Sequence, residues 1–368
     1  MKCKIESLFI QEALKVALRL APPLTENVNI SVDGNKMHLI SASELAKCTI
    51  VIPGEVEGSA MFGVSVQALQ DSVKGRTEVE LTFDKSMLIV KSGRYVAKLA
   101  TVDAIQGESQ ETTKKSADNE VKEAEQKWKL TAEQAAWLKQ AVTQVALKPS
   151  SVTTTFMPIS VSLTDKAAFV SCYDMNHMAF IKSKDVKGDL SLTLPVETIN
   201  AVLEVFNKTA FSLTVGNAAM RIRNKVVDAI LSLPDTDSEE VISVKDVMAK
   251  SREAMTTDGL FIDVATSEVR QFLDNARAVI AKERSELQLT GEAGKLTLSV
   301  QTTNGQVKST VKAKVPKAFK FNIDAEYFSE AVSKCQVDLL KLKLVDGAFL
   351  MIEAKESHFV IALNQEEA

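Results

Sequence analysis

One phrase recurs three times along this chain at an almost constant long step, and nothing else in the sequence limits the architecture as strongly. The phrase is a strand, a short amphipathic helix and further strands joined by tight turns. AMFGVSVQALQDSV carries it near residue 60, LSLTLPVETINAVLEV near 190 and AFKFNIDAEYFSEAV near 318. The helix-opening positions are Ser65, Pro195 and Asp324, so the steps are 195 − 65 = 130 and 324 − 195 = 129 residues. A step of that length means that a whole domain is triplicated, and the mixture inside the phrase makes it an α+β domain.

Each repeat divides again into two halves, each a helix followed by three strands. The first helix opens at Glu6 or Ser7, keeps Ile10, Leu14, Ala17 and Leu18 on one stripe, and stops before Pro22-Pro23. In the second repeat Thr131 caps a helix with Glu133 and Gln134 in its first turn. The third repeat has helices over 267–282 and 325–335. The joints differ in composition: 104–125 and 235–257 are rich in Ser, Thr, Glu and Lys and read as linkers, the second with a possible helical turn over 244–249. The expected domains are therefore 1–103, 126–234 and 258–368.

Several chemistries are excluded by motif. The chain has no G-x-x-x-x-G-K-[ST], no G-x-G-x-x-G after a strand, no H-E-x-x-H and no G-x-S-x-G. Its three histidines, His38, His177 and His358, are scattered and suggest no metal site. Cys3, Cys48, Cys172 and Cys335 form no C-x-x-C pair and read as reduced thiols. No apolar run approaches the ~18 residues of a membrane span, and Glu6, Gln11 and Glu12 interrupt any signal-peptide core. The expectation is a cytoplasmic protein with no catalytic site, metal or cofactor.

Net charge is −4, which at first argues against nucleic acid, but the distribution of charge matters more than its sum. Bases fall on or at the end of every helix: Lys15 and Arg19, Lys74, Lys139 and Lys148, Lys208, Arg270 and Arg277, and Lys334. Much of the acid lies in the linkers. Helices sharing one surface would make it more basic than the whole and suited to phosphate contact without base reading. Lys and Arg are nevertheless common on any helix exterior, and Glu12, Glu204, Asp274 and Glu330 dilute the pattern, so charge alone leaves DNA contact open.

Four phrases, in order inside the repeat, give the chain a family likeness. They are SMLIVKSGRYVAKLATVDA, VSCYDMNHMAFI, FNIDAEYFSEAV and the terminal HFVIALNQEE. With these the chain resembles the bacterial DNA polymerase sliding clamp, the polymerase III β subunit, over essentially its full length. The resemblance implies three clamp domains, each of two helices packed on antiparallel sheets. It also implies that two such chains close head to tail into a ring with the helices inside, around double-stranded DNA. The implied partners are a replicative DNA polymerase, a clamp-loader ATPase and a second copy of the chain. By position, the strands over 94–100 and 306–313 would close the ring, through Arg94, Ala97, Leu99, Val307 and Val311. The alternative is a pair of ordinary edge strands protected by Lys98, Lys308 and Lys312.

The resemblance further implies a hydrophobic pocket for partner peptides between the second and third domains. Matched position by position, its residues are Phe156, Asn176, His177, Met178, Leu233, Pro234, Asn322, Val360, Ile361, Ala362 and Leu363. Phe156, Leu233 and Ile361 read equally well as core. Met178 stands where the family has Arg, and two extra residues precede Tyr327. The tail ends Asn-Gln-Glu-Glu-Ala in place of the family's Met-x-Leu. These departures point to a diverged clamp, bacterial or phage-encoded and then working in the host cytoplasm. Two other classes stay open: a clamp-fold interaction scaffold that binds no DNA, and an enzyme built on Tyr173, Asp174 and His177.

Overall fold

The computed structural model describes residues 1–84, 86–104, 126–147, 157–174, 176–216, 218–233, 243–280, 285–303, 305–345 and 347–364. Six copies of one β-α-β-β-β half make up nearly all of it. The first repeat holds β1 (Lys2–Glu6), α1 (Ser7–Leu20), β2 (Asn27–Asp33), β3 (Lys36–Ala42) and β4 (Ala46–Ile52). After the short β5 (Glu55–Glu57) come β6 (Ala60–Ser65), α2 (Val66–Val73), β7 (Glu78–Asp84), β8 (Met87–Ser92) and β9 (Tyr95–Asp103). The second holds β10 (Gln126–Leu130), α3 (Ala132–Val145), β11 (Pro158–Leu163), β12 (Ala168–Tyr173) and β13 (His177–Ser183). Its second half is β14 (Leu190–Pro195), α4 (Val196–Phe206), β15 (Phe211–Val215), β16 (Ala219–Arg223) and β17 (Val227–Ser232). After α5 (Val244–Thr256), the third repeat holds β18 (Leu260–Ala265), α6 (Thr266–Ile280), β19 (Glu286–Glu292), β20 (Lys295–Thr302) and β21 (Gly305–Lys314). It ends with β22 (Phe319–Asp324), α7 (Ala325–Lys334), β23 (Leu339–Val345), β24 (Phe349–Ala354) and β25 (Ser357–Asn364).

The helices start where local side chains satisfy their first N–H groups. Thr131 and Gln134 form a reciprocal capping box: Gln134 N donates to Thr131 Oγ1 at 3.2 Å and Thr131 N to Gln134 Oε1 at 2.8 Å. Asp324 Oδ1 accepts from Glu326 N and Tyr327 N at 2.9 and 3.1 Å. Each helix then buries one stripe, as α1 does with Ile10, Ala13, Leu14, Ala17 and Leu20.

The two halves of each repeat exchange their leading strands. β1 pairs with β7 and β6 with β2; β10 pairs with β15 and β14 with β11; β18 pairs with β23 and β22 with β19, all antiparallel. A half therefore has no complete sheet of its own. The last strand of a half can pair onward with the last strand of another: β4 pairs with β17, and β13 with β25. These links produce a 13-stranded and a 12-stranded sheet.

Two compact units follow these sheets. One comprises Met1–Ala136 and Ala201–Ser238, the other Trp137–Asn200 and Glu239–Ala368, so the second repeat contributes to both. In the first unit the core is apolar and aromatic, with the Phe62 and Phe83 rings stacked at 4.2 Å. In the second, the inner sheet faces are filled by residues such as Ile159, Val161, Phe359 and Ile361, all buried.

The composition of 235–257 suggested a linker with a single helical turn. The structure instead places the thirteen-residue α5 over its second part, opened by Ser243, whose Oγ accepts from Asp246 N at 3.2 Å. Its buried stripe is only Val247, Ser251 and Ala254. So sparse an apolar face resembles solvated sequence until the surface beneath it is known. No helix among the described residues is long and apolar enough to cross a membrane.

Candidate nucleic-acid and partner interfaces

Six of the expected phosphate-binding bases stand exposed. They are Lys15 and Arg19 on α1, Lys74 just after α2, Lys208 after α4, and Arg270 and Arg277 on α6. Two of them are already matched with carboxylates: Lys15 Nζ lies 2.7 Å from Glu12 Oε1, and Arg19 Nε 2.5 Å from Glu204 Oε2. Lys139 is half-buried. It borders a cleft of about 720 Å³ in the second unit, lined also by Trp137, Gln144, Gln336 and Lys355. Lys148 lies outside the described residues.

Lys334 departs from the expectation that each helix lifts a base outward, and Arg270, though exposed, is already engaged by a neighbouring helix end. The Lys334 side chain is 18% exposed, and its ammonium donates to the carbonyl of Ala146, at the end of α3. Arg270 Nη2 donates to Cys335 O at 2.5 Å and Val332 O at 3.4 Å, at the end of α7. The reason is physical: the last carbonyls of a helix lack intrahelical donors and carry the negative end of its dipole, which attracts a nearby cation. Lys343 does the same for α5. It is 3% exposed, and its Nζ donates to Ala254 O at 3.1 Å and Met255 O at 2.9 Å.

The expected peptide-pocket residues of the second unit do converge. The β13–β25 pairing sets His177 opposite Ile361 and Met178 opposite Val360, while Ala362 N donates to Asn176 O at 2.9 Å. On the other side of β25, Leu363 pairs with Ile323 and Asn364 with Asn322. Leu233 belongs to the first unit, where its N–H donates to Ala218 O at 2.8 Å. Phe156 and Pro234 lie outside the described residues.

Not all of these side chains can meet a ligand. His177 and Ile361 are buried at 2% and 0% exposure, so neither forms an open pocket wall. The strand pleat accounts for this, since both point to the helix side of the sheet. Asn176 is exposed; Met178, Asn322, Val360, Ala362 and Leu363 are half-buried. The His177 ring packs on Tyr327 with centroids 4.4 Å apart, and neither ring nitrogen has a hydrogen-bond partner. Burial, then the Lys334 charge, pushes its pKa down to about 3, so it is neutral across the ordinary pH range. Asp174 instead accepts from the Tyr327 hydroxyl at 2.9 Å. A relay from Asp174 through His177, as an enzyme reading of Tyr173, Asp174 and His177 would need, is therefore not formed.

The two expected closing strands have open edges. β9 pairs with β8 over 95–100, and with β6 only through 101–103. β21 pairs with β20 over 305–312, and with β18 only through 313 and 314. Among the described residues, the remaining backbone edge of each has no strand partner. Ala97, Leu99 and Val307 are half-buried, Val311 is 8% exposed, and Arg94 stands exposed in the turn before β9.

Solved structures with the same chain path cover this protein from end to end. The DNA polymerase III subunit beta from Pseudomonas aeruginosa matches with a TM-score of 0.78 at 11% identity, over 99% of this chain and 100% of that one. The beta subunit from Thermotoga maritima matches at 0.77 and 12%, over 99% of each chain. The DNA polymerase sliding clamp from Caulobacter crescentus matches at 0.75 and 12%, over 99% of this chain and 100% of that one.

The chain has the sliding-clamp fold.

No protein-family model matches the sequence, and no curated protein does. The fold is thus shared with these structures at about one identical residue in nine. The element that the sequence reading gave only as a helical turn over 244–249 is the full α5. Its signals were present in the Ser243 and Asp246 cap pair and in Val244, Val247, Met248 and Met255, spaced for one helical face.

Proposed function

We propose that this chain is a DNA polymerase processivity clamp without catalytic activity, encircling duplex DNA as a closed ring of two copies. One observation carries the proposal. Of six half-repeats, four join their last strands in pairs, β4 with β17 and β13 with β25. Among the described residues, the last strands of the remaining two, β9 and β21, keep open edges. Two copies set head to tail would join β9 of each to β21 of the other, completing the same pattern so that every half has its last strand paired. The contacts proposed for that joint involve Arg94, Ala97, Leu99, Val307 and Val311.

On this reading the chain comprises three domains, 1–103, 126–234 and 258–368, whose helices face the DNA. Lys15, Arg19, Lys74, Lys139, Lys208, Arg270 and Arg277 would contact phosphates without reading bases, as sliding requires. Opening the ring would fall to a separate clamp-loader ATPase, since this sequence has no nucleotide-binding motif. A replicative polymerase would be held through Asn176, Met178, Asn322, Val360, Ala362 and Leu363. Work of this kind belongs to the cytoplasm of a bacterium or of a phage-infected host.

A second reading, a clamp-fold scaffold that binds no DNA, draws support from the carboxylates already matched to Lys15 and Arg19. One experiment separates the two. Light scattering across a concentration series gives the oligomeric mass, and parallel samples with loader test retention on circular and linear DNA. A dimer retained on circles and lost from linear ends supports the clamp. A chain that stays monomeric at every concentration and adds no processivity to any polymerase overturns it.

A further inference from the structure

The strands β11 and β12 are buried at all six positions each. Their counterparts in other halves alternate, as β2, β3, β19 and β20 do, with one face packed on helices and the other open. The difference lies in α5, which covers the outer face of this sheet. Beneath it lie Phe169 and Tyr173 of β12, Met178 and Phe180 of β13, and Val360 of β25. Above them the helix contributes Val247, with Met248 and Met255 at its margins.

The two sides are unequal. The sheet presents three aromatic rings, two of them stacked with centroids 6.0 Å apart. The helix buries only a valine, an alanine and Ser251, whose hydroxyl turns back to Met248 O at 2.9 Å. A large apolar surface is thus covered by small side chains, and adaptable methionines fill the margins. The anchoring is also uneven. Lys343 pins the C-terminal carbonyls of Ala254 and Met255, whereas the N-terminal end is held by its own cap, Ser243 with Asp246.

We propose that this outer face is the docking surface for an amphipathic helical segment of a partner protein, and that the N-terminal half of α5 occupies it until that segment arrives. The segment it fits has two or three bulky aliphatic or aromatic side chains spaced three or four residues apart, the spacing with which α5 itself sits there. Lys343 serves as the hinge, keeping the C-terminal turn in place while the turns before it lift. Met178 and Val360 belong both to this face and to the residues proposed above to hold the polymerase, so the inference deepens that reading. It names what must move before the partner is held.

The test uses the full chain and a labelled synthetic peptide of Val244–Thr256 sequence carrying Val247→Leu and Ser251→Leu, read by fluorescence anisotropy without DNA. A Val247→Glu chain, its own helix weakened, is expected to bind the peptide about tenfold tighter than the unmodified chain, and a further Met178→Asp change to abolish that binding. Equal binding by both chains, or none by either, overturns the proposal. Hydrogen exchange on the unmodified chain guards against a variant that fails to fold. Saturating peptide should speed exchange of the 244–251 amides and leave those of α7 unchanged; no change at 244–251 overturns the proposal as well. A chain that forms rings on DNA yet ignores the peptide sinks this inference alone, and the converse sinks only the clamp reading.

Discussion

Arg19 and Glu204, on α1 and α4, meet across the first unit with Nε and Oε2 2.5 Å apart, both side chains about half exposed. A guanidinium so placed is matched before any phosphate reaches it. Binding DNA through Arg19 would exchange one anion for another, and the gain would be smaller than for an unmatched base. On the proposed clamp reading this matching would suit sliding, because Arg19 would hold a phosphate only weakly.

Glu204→Gln should therefore tighten DNA contact at little cost to the fold. An exposed pair of this kind contributes about 0–1 kcal/mol to stability, so the melting temperature should hardly move. Retention on circular DNA should become more salt-sensitive, with the slope of log affinity against log salt steeper by about one phosphate contact. Titration of that slope checks it. A slope unchanged from the unmodified chain would mean that Arg19 does not face DNA.

Asp228 supplies a pH prediction. Burial would raise its carboxyl pKa, but hydrogen bonds and charge from Arg221 and Arg223 outweigh burial and hold it below the usual carboxylate range. Arg221 is bidentate, with Nε and Nη2 at 2.8 and 2.7 Å, and Arg223 Nη2 adds a contact at 2.7 Å. A carboxyl whose folded pKa is depressed stabilises the fold above its unfolded pKa, and that contribution fades as pH falls through the folded value. Stability should thus decline below about pH 4. In Asp228→Asn the acid-side decline should be shallower and neutral-pH stability lower by roughly 2 kcal/mol, since two guanidinium groups lose their acceptor. Urea unfolding at a series of pH values checks both.

How far the sequence discloses such features depends on how local their causes are. The Thr131–Gln134 capping box involves residues three apart and is plain from composition and spacing. The open edges of β9 and β21 follow from the repeat and a family likeness. The engagement of Lys334 and Arg270 with helix-end carbonyls could not be read, because their acceptors lie 188 and 65 residues away. The outer-face burial of Phe169 and Phe180 depends on Val247, more than sixty residues on, inside a stretch whose composition suggests solvent. A buried lysine such as Lys343 looks like any surface base until the end of α5 is found beside it.

Lys343→Met should expose that dependence. The thioether chain fills similar volume but donates nothing, leaving the Ala254 and Met255 carbonyls without their charged donor. Hydrogen bonds from a charged group contribute about 1.5–3 kcal/mol, so a loss of roughly 2 kcal/mol in unfolding free energy is expected. Exchange of the amides in α5 should accelerate more than that of α6. Equal acceleration in both helices would mean that the lysine supports the unit as a whole and not the helix end.

The open edges lead to a prediction needing no substitution. In an antiparallel strand, alternate N–H groups point to opposite sides. Within 95–100 of β9, one set bonds to β8 and the other faces the open edge; the same holds for 305–312 of β21 against β20. If two copies close through these edges, raising the protein concentration should slow exchange in the edge-facing set by about tenfold or more. The set already bonded to β8 or β20 should change less. Both strands must respond together, and at the same concentration, because each edge is the partner of the other. Protection in β9 alone would indicate a symmetric pairing of β9 with itself, which could not close a ring and would overturn the head-to-tail arrangement.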